Sequence, residues 1–160
     1  MVLYLGLIGS FVIGLAAGLR CMTPPAVLGW AAYFGWLSVS DGPFSFLASI
    51  PFVLLMTAFA LLELTFDKFP QAPDRTAPLG LTGRIVSSSF CGSVLSIAAG
   101  AGPIIGLVLG LFGGMLGAFG GIQLRKTVSR KSSFGSFPAA VVEDLIAITL
   151  AHVSVYFVVH

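Results

Sequence analysis

The sequence predicts an all-α fold: a polytopic transmembrane helix bundle with five to six membrane segments, the first of them broken. Composition is the first indication, because 57% of the residues are hydrophobic and only 9% are charged. Soluble domains carry about 25% charged residues, so a water-soluble fold could not cover its surface with so few ionic groups. The mean hydropathy of +1.04 points the same way. We therefore expect residues 1–160 to form a single integral membrane domain.

The first apolar run is interrupted by prolines. Val2 to Leu19 is rich in glycine and long enough for one crossing at about 1.5 Å per residue. Thr23-Pro24-Pro25 then breaks the chain in a pattern typical of a helix start, and the apolar run resumes from Ala26 to Leu37. This second piece is a thin crossing, a re-entrant half-helix or the second arm of one kinked helix. The choice decides between six segments and five.

The later segments are easier to place. Phe44 to Leu62 is the clearest predicted transmembrane helix, and we expect Pro51 to kink it. Further crossings are predicted at residues 79–99, 104–124 and 138–159.

Basic residues are concentrated in two of the predicted loops. Four lie from Arg125 to Lys131 and three from Lys68 to Arg84, whereas the turns at Ser38–Pro43 and Gly100–Pro103 contain none. Because basic loops stay in the cytoplasm, both charged loops are predicted to be cytoplasmic and the C-terminus to lie outside. Six crossings would put the N-terminus outside as well, and five would put it inside.

The stretch from Glu63 to Thr76 closes an apolar run and contains five charged residues. Glu63 and Asp67 are four residues apart and would share one face of a continuing helix, with Lys68 able to neutralise one of them. Charges beside hydrocarbon are expensive, which favours a functional role, and the sequence predicts a titratable carboxylate site centred on Glu63. The alternative is an interfacial charge cluster that only marks the helix end.

A second acidic pair, Glu143-Asp144, precedes an uninterrupted apolar stretch. Its side chains project about 100° apart on a helix, so one of them can face the bundle. Arg20 and Arg84 fall at the same predicted end of the bundle. The alternative to one shared site is that each charge reaches its own interface separately. The predicted substrate or ion site contains Arg20, Glu63, Asp67, Lys68, Arg84, Glu143 and Asp144.

Glycines in the fifth segment recur every four residues and form small-residue stripes on two faces. Such stripes let neighbouring backbones approach closely, and we expect packing within the chain. A homodimer face and a smooth pore lining are the alternatives. The predicted packing positions are Gly106, Gly110, Gly114, Gly117 and Gly121.

No motif indicates a cofactor, a catalytic centre or nucleic acid. The sequence contains no glycine-rich phosphate loop, serine elbow or zinc motif, and its net charge is only +2. His152 and His160 are too isolated for a metal site, and Cys21 and Cys91 have no ligand spacing. We expect two buried thiols, with a disulfide as the alternative. No cofactor and no metal is predicted. The expected partners are the lipid bilayer and a second copy of the chain.

Several motifs together resemble those of a known family of small bacterial inner-membrane proteins, classed only as a domain of unknown function. The resemblance covers nearly the whole chain and implies a multi-pass helical protein of the bacterial inner (cytoplasmic) membrane, but no activity. The motifs are Ala17-Gly-Leu-Arg20-Cys-Met-Thr23-Pro24-Pro25-Ala, Gly29-Trp-Ala-Ala, Glu63-x-x-x-Asp67-Lys68-x-Pro70-x-x-Pro73-x-Arg75-Thr76, Gly83-Arg84, the glycine-rich fifth segment and Glu143-Asp144.

Three functions are compatible with these patterns. We favour a small transporter or channel-like protein, not an enzyme, with a carboxylate and arginine site on the cytoplasmic side, because broken helices often line binding sites. A membrane-embedded enzyme or carrier acting on a lipid phosphate is the second, since arginines can hold the phosphate and carboxylates can transfer protons. The third is a non-catalytic assembly subunit, which the glycine stripes would suit.

Overall fold

The computed structural model describes residues 2–39, 42–66, 78–131 and 137–159, and within these ranges it is helical with no strand. This confirms the all-α prediction. A 3-10 helix, Ser45–Ala48, lies between the second and third α-helices. The α-helices are α1 (Val2–Leu19), α2 (Thr23–Tyr33), α3 (Ile50–Phe66), α4 (Pro78–Ala98), α5 (Pro103–Lys131) and α6 (Phe137–Val159).

Three of the helices are long and apolar enough to cross a membrane: Gly80–Ala98 of α4, Pro103–Leu124 of α5 and Ala140–Val159 of α6. Shorter apolar helices span Leu3–Leu19 and Ile50–Phe66. The chain is therefore a helical membrane bundle, as its composition predicted.

The broken first segment consists of two helices that reverse direction. Leu28 and Ala31 of α2 lie in one buried cluster with Ile13, which sits well inside α1, so α2 runs back alongside the bundle. The second arm of a kinked helix would instead move away from Ile13. The described residues therefore form six α-helices, and α2 is a short element of 11 residues.

The third helix differs from its prediction. The apolar run from Phe44 to Leu62 was expected to form one helix kinked at Pro51, but its first part is the 3-10 helix and Ser49 is extended. The α-helix then begins at Ile50, which puts Pro51 in its first turn. A proline is well accommodated there, because the first-turn amides have no acceptor within the helix. The proline therefore opens the helix instead of bending it.

The helices α1, α4 and α5 approach each other through glycines. A Cβ atom added at Gly110 would collide with the carbonyl oxygen of Ser88 in α4, and one added at Gly14 of α1 would collide with the carbonyl of Gly110. The same holds between Gly92 and Gly106. These three helices therefore pack backbone against backbone and form the rigid part on which the other elements rest.

The other glycines of α5 divide between two neighbours. Gly114 faces the side chain of Ser88, whereas Gly117 faces the backbone of Leu15 in α1. Gly121 is a buried residue of the same helix. At Gly120, an added Cβ would meet nothing within 4 Å. One glycine row therefore faces α4 and the other faces α1.

Candidate functional site

The reversal between α1 and α2, formed by Arg20, Cys21 and Met22, is where the chain's buried charges meet. Side chains from α3, α4 and α6 all reach these three residues. A backbone reversal inside a helical bundle needs such partners, because some of its amides and carbonyls, here those of Cys21 and the amide of Met22, are bonded by side chains and not by a helical ladder. We refer to this region as the α1–α2 reversal.

Glu63 of α3 binds the amide side of the reversal. Its two carboxylate oxygens accept hydrogen bonds from the backbone amides of Cys21 (2.7 Å) and Met22 (2.8 Å). Pro24 and Pro25 follow at the start of α2 and have no amide hydrogen, so most of the donors that need an acceptor at this helix start are taken by one carboxylate. A negative charge at this position also complements the positive end of the helix dipole.

Arg84 of α4 binds the carbonyl side of the reversal. Its Nη1 donates to the carbonyl oxygens of Gly18 (2.6 Å) and Leu19 (2.8 Å), the last residues of α1. A cation at a helix C-terminus is favourable for the same electrostatic reason. One turn further along α4, the hydroxyl of Ser87 donates to the carbonyl of Cys21 at 2.5 Å. The end of α1 and the start of α2 are thus fixed by opposite charges from two different helices.

Arg20 forms an ion pair with Asp144 of α6 through Nη2 and Oδ1. The arginine side chain is 0% exposed, which makes it the largest fully buried side chain in the described part of the protein. Glu143, next to Asp144 on α6, is also buried, at 1% exposure. An arginine and two neighbouring carboxyl groups are therefore enclosed between the break in the helices and the first turns of α6.

The structure brings together most of the charged residues singled out from the sequence. Arg20 and Asp144 are paired, and Glu63 and Arg84 both bind the residues that flank or form the same reversal. Glu143 lies beside Asp144 in sequence. Asp67 and Lys68 fall outside the described residues. Sequence reasoning did not find that Glu63 and Arg84 would bind backbone groups, because the residues they bind are distant in the chain.

The charged groups of the site differ in what they bind: Glu63 binds backbone amides, whereas Arg20 and Asp144 bind each other's side chains. Both oxygens of Glu63 are held by amides that cannot leave without unwinding the start of α2. The Arg20–Asp144 pair, by contrast, joins two side chains and involves no backbone group. Ion pairs inside membrane bundles commonly mark ion or proton pathways.

Cys21 and Cys91 are both free thiols. Burial raises the pKa of the Cys21 thiol to about 11, and the negative charge of Glu63 adds to this shift. In the part of the chain that the structure describes, no group of three or more His, Cys, Asp and Glu side chains is placed to hold a metal ion.

An apolar groove that the sequence did not predict runs along α2. Its volume is about 970 Å³, and α2 forms its floor between Thr57 of α3 and the second half of α6. It begins at Thr23, directly after the reversal, and continues past Trp30 to Trp36. No spacing in the sequence indicated that α2 would remain uncovered.

Comparison with known proteins identifies a family. The family described as "Domain of unknown function (DUF4126)" matches residues 7–159, so the chain belongs to it. No curated protein and no solved structure matches the chain significantly.

Proposed function

We propose that this member of the DUF4126 family is a small transporter or channel-like protein in which the Arg20–Asp144 pair is the central charged element. The observation that carries the proposal is that this pair is buried where the chain breaks between two helices. In transporters, broken helices commonly line the binding site, and buried charges are retained because transport uses them. A substrate cation or proton would bind at Asp144 and release Arg20.

The other charges support the pair instead of taking part in transport themselves. Glu63 and Arg84 hold the ends of α1 and α2, so they fix the distance between Arg20 and the helices around it. Glu143 is buried next to Asp144 and provides a second carboxyl group that can receive the transported cation or proton. The proposed titrating role therefore lies on α6 and not at Glu63.

The geometry favours transport over a lipid-phosphate site. A phosphate group would need a guanidinium group free to form paired hydrogen bonds with it. Arg84 is bound to two carbonyls at the end of α1, and a phosphate at Arg20 would place its negative charge beside the carboxyl groups of Asp144 and Glu143.

Reconstitution into liposomes tests this proposal. We expect purified protein to move protons, alkali cations or small organic anions down an imposed gradient, read out with a pH-sensitive dye and isotope uptake. Asp144→Asn should abolish that flux, whereas Asp144→Glu should keep part of it because the charge is retained.

Matched controls separate a transport defect from misfolding. Each variant is compared with wild type by circular dichroism and gel filtration before reconstitution, and Glu143→Gln provides a second test in case Asp144→Asn does not fold. Wild-type protein that moves none of the three solute classes would overturn the proposal. So would a correctly folded Asp144→Asn protein with undiminished flux.

We further propose that the protein lies in the bacterial inner membrane with its two basic segments in the cytoplasm, and that two copies assemble. The segment from Arg125 to Lys131 was predicted as a loop and forms the last turns of α5. The distribution of basic residues along the chain supports the orientation. Dimerisation is supported by α3, which exposes Leu54, Leu55 and Phe59 and buries only Val53 and Ala60. Reporter fusions after Lys131 and at the C-terminus should show opposite sides of the membrane, and crosslinking of α3 should give a dimer.

A further inference from the structure

The groove along α2 contains a hydrogen-bond acceptor that no part of the described chain satisfies. His152 of α6 lines the same groove, and its Nδ1 lies 2.8 Å from the carbonyl oxygen of Ile148. A carbonyl only accepts, so Nδ1 carries the hydrogen, and in the neutral ring Nε2 is then an acceptor. The structure gives Nε2 no partner within the described ranges.

Hydrocarbon alone is a poor occupant for this groove. Polar groups at membrane depth are costly unless they are hydrogen-bonded, so lipid tails would leave Nε2 of His152 unsatisfied. The backbone of a helix from a second copy of the chain would do the same, because its amides are bonded within the helix itself. An occupant that carries its own hydrogen-bond donor removes this cost.

The walls of the groove suit an aromatic ring. Trp30 and Phe34 stack with their ring centroids 5.5 Å apart and their planes at 23°, and Trp36 lies 5.5 Å beyond Phe34. Tyr156 of α6 lines the same groove. The indole nitrogen of Trp30 is held by the hydroxyl of Thr57 at 3.0 Å, which fixes the orientation of the ring. Aromatic rings add attraction beyond their buried area when they pack in such stacked or edge-on arrangements.

We propose that the α2 groove binds an amphiphile of the alkylphenol class, with its hydroxyl donating to Nε2 of His152 and its ring against Trp30 and Phe34. The alkyl chain follows α2 along Ala26, Val27 and Ala31, which present a smooth apolar floor. A volume of about 970 Å³ is at the upper end of the range of small-molecule sites, which is large enough for such a molecule. This binding site is independent of the transport proposal and does not require the Arg20–Asp144 pair to move anything.

Both tryptophans of the chain, Trp30 and Trp36, line the groove, so intrinsic fluorescence reports on its occupancy, and saturation separates binding from random contact with a probe dissolved in the bilayer. The probe is pentadecylphenol brominated on the ring, because bromine quenches tryptophan on contact, and the matched control probe is brominated pentadecylbenzene. In the full chain in nanodiscs we expect saturable quenching that unbrominated pentadecylphenol reverses. The phenol should bind about fivefold to tenfold more tightly than the benzene, which corresponds to one hydrogen bond.

Variants on α6 locate the hydrogen bond. His152→Leu should remove the preference for the phenol and leave binding of the benzene unchanged, and His152→Gln, which keeps an acceptor, should restore part of it. Thr149→Val is the control, since that hydroxyl is bonded to Leu145 on the same helix and does not line the groove.

Three results would overturn the proposal. They are equal affinity of wild type for the two probes, a preference that survives His152→Leu, and quenching that does not saturate. If neither probe quenches the tryptophans in a crosslinked dimer, the proposal also fails, and the groove is the contact surface with a second copy of the chain.

Discussion

The packing of α5 against its neighbours makes a sharp prediction about two glycines of that helix. Gly110 and Gly120 are both inside α5, so replacing either with alanine gains the same helix propensity, about 1 kcal/mol. Their surroundings differ. An added Cβ at Gly110 would collide with the carbonyl oxygen of Ser88 and lie 3.1 Å from Cα of Gly92, whereas at Gly120 it would meet nothing within 4 Å.

The size of the effect at Gly110 follows from what must move. The colliding atoms belong to the backbone of α4, so no side-chain rotation relieves the contact and the two helices have to separate. Overpacking of a filled interior costs about 1–3 kcal/mol. Because the propensity gain is common to both variants, Gly120→Ala should be more stable than Gly110→Ala by about 1–3 kcal/mol.

The assay is reversible unfolding in mild detergent, with sodium dodecyl sulfate as denaturant and helical content followed by circular dichroism. The comparison of the two variants removes effects of detergent and of expression level. Equal unfolding midpoints for Gly110→Ala and Gly120→Ala would refute the close approach of α4 and α5 at this point. Gly110→Leu combined with Gly114→Leu should prevent assembly of the bundle altogether.

Four further predictions concern the α1–α2 reversal. Glu63→Gln keeps one acceptor oxygen but loses a charge-assisted hydrogen bond, so it should lower the free energy of unfolding by about 1–3 kcal/mol in the same denaturation assay; no loss would mean that the carboxylate does not cap α2. Arg84→Lys should cost about 1–2 kcal/mol, because the lysine side chain is shorter and its ammonium group falls short of the position from which Nη1 donates to both carbonyls, and an unchanged midpoint would argue against that contact. Asp144→Asn should cost about 3–5 kcal/mol by leaving Arg20 buried beside a neutral group, and the double variant Arg20→Met, Asp144→Leu should recover part of the loss; a double variant less stable than Asp144→Asn would contradict this. Since burial raises the pKa of Cys21 to about 11, its alkylation by N-ethylmaleimide should accelerate about tenfold per pH unit from pH 8 to pH 10, measured against Cys21→Ser; a rate that levels off near pH 9 would contradict the raised pKa.

Much of the fold follows from local patterns in the chain. The predicted and observed bounds of α1 coincide at Val2 and Leu19, and those of α4 differ by one residue at each end. Hydrophobic runs bounded by glycine, proline and charge are sufficient for this, because a helix in a membrane satisfies its own backbone and needs only length and apolarity. The same reasoning failed where helix ends depend on neighbours, as at Phe44–Leu62.

The roles of the charged residues could not be predicted in the same way. Arg20, Arg84 and Asp144 could be picked out because charge is rare in an apolar chain. Which charge binds which group depends on contacts across more than 60 residues of sequence, such as that between Arg84 and Gly18. Glu63 was predicted as the centre of the site, and the binding of its two oxygens to backbone amides more than 40 residues away in the chain could not be predicted.

The sequence by itself determined that this is a helical membrane protein with a few charges at the ends of its helices, because composition and hydrophobic runs are local properties. Only the tertiary structure decided that α2 turns back along the bundle, that side chains from α3, α4 and α6 meet at the reversal between α1 and α2, and that a groove is left open beside α2. Those features arise from which helix faces pack together, and packing is settled by close approach between residues that are far apart in the chain.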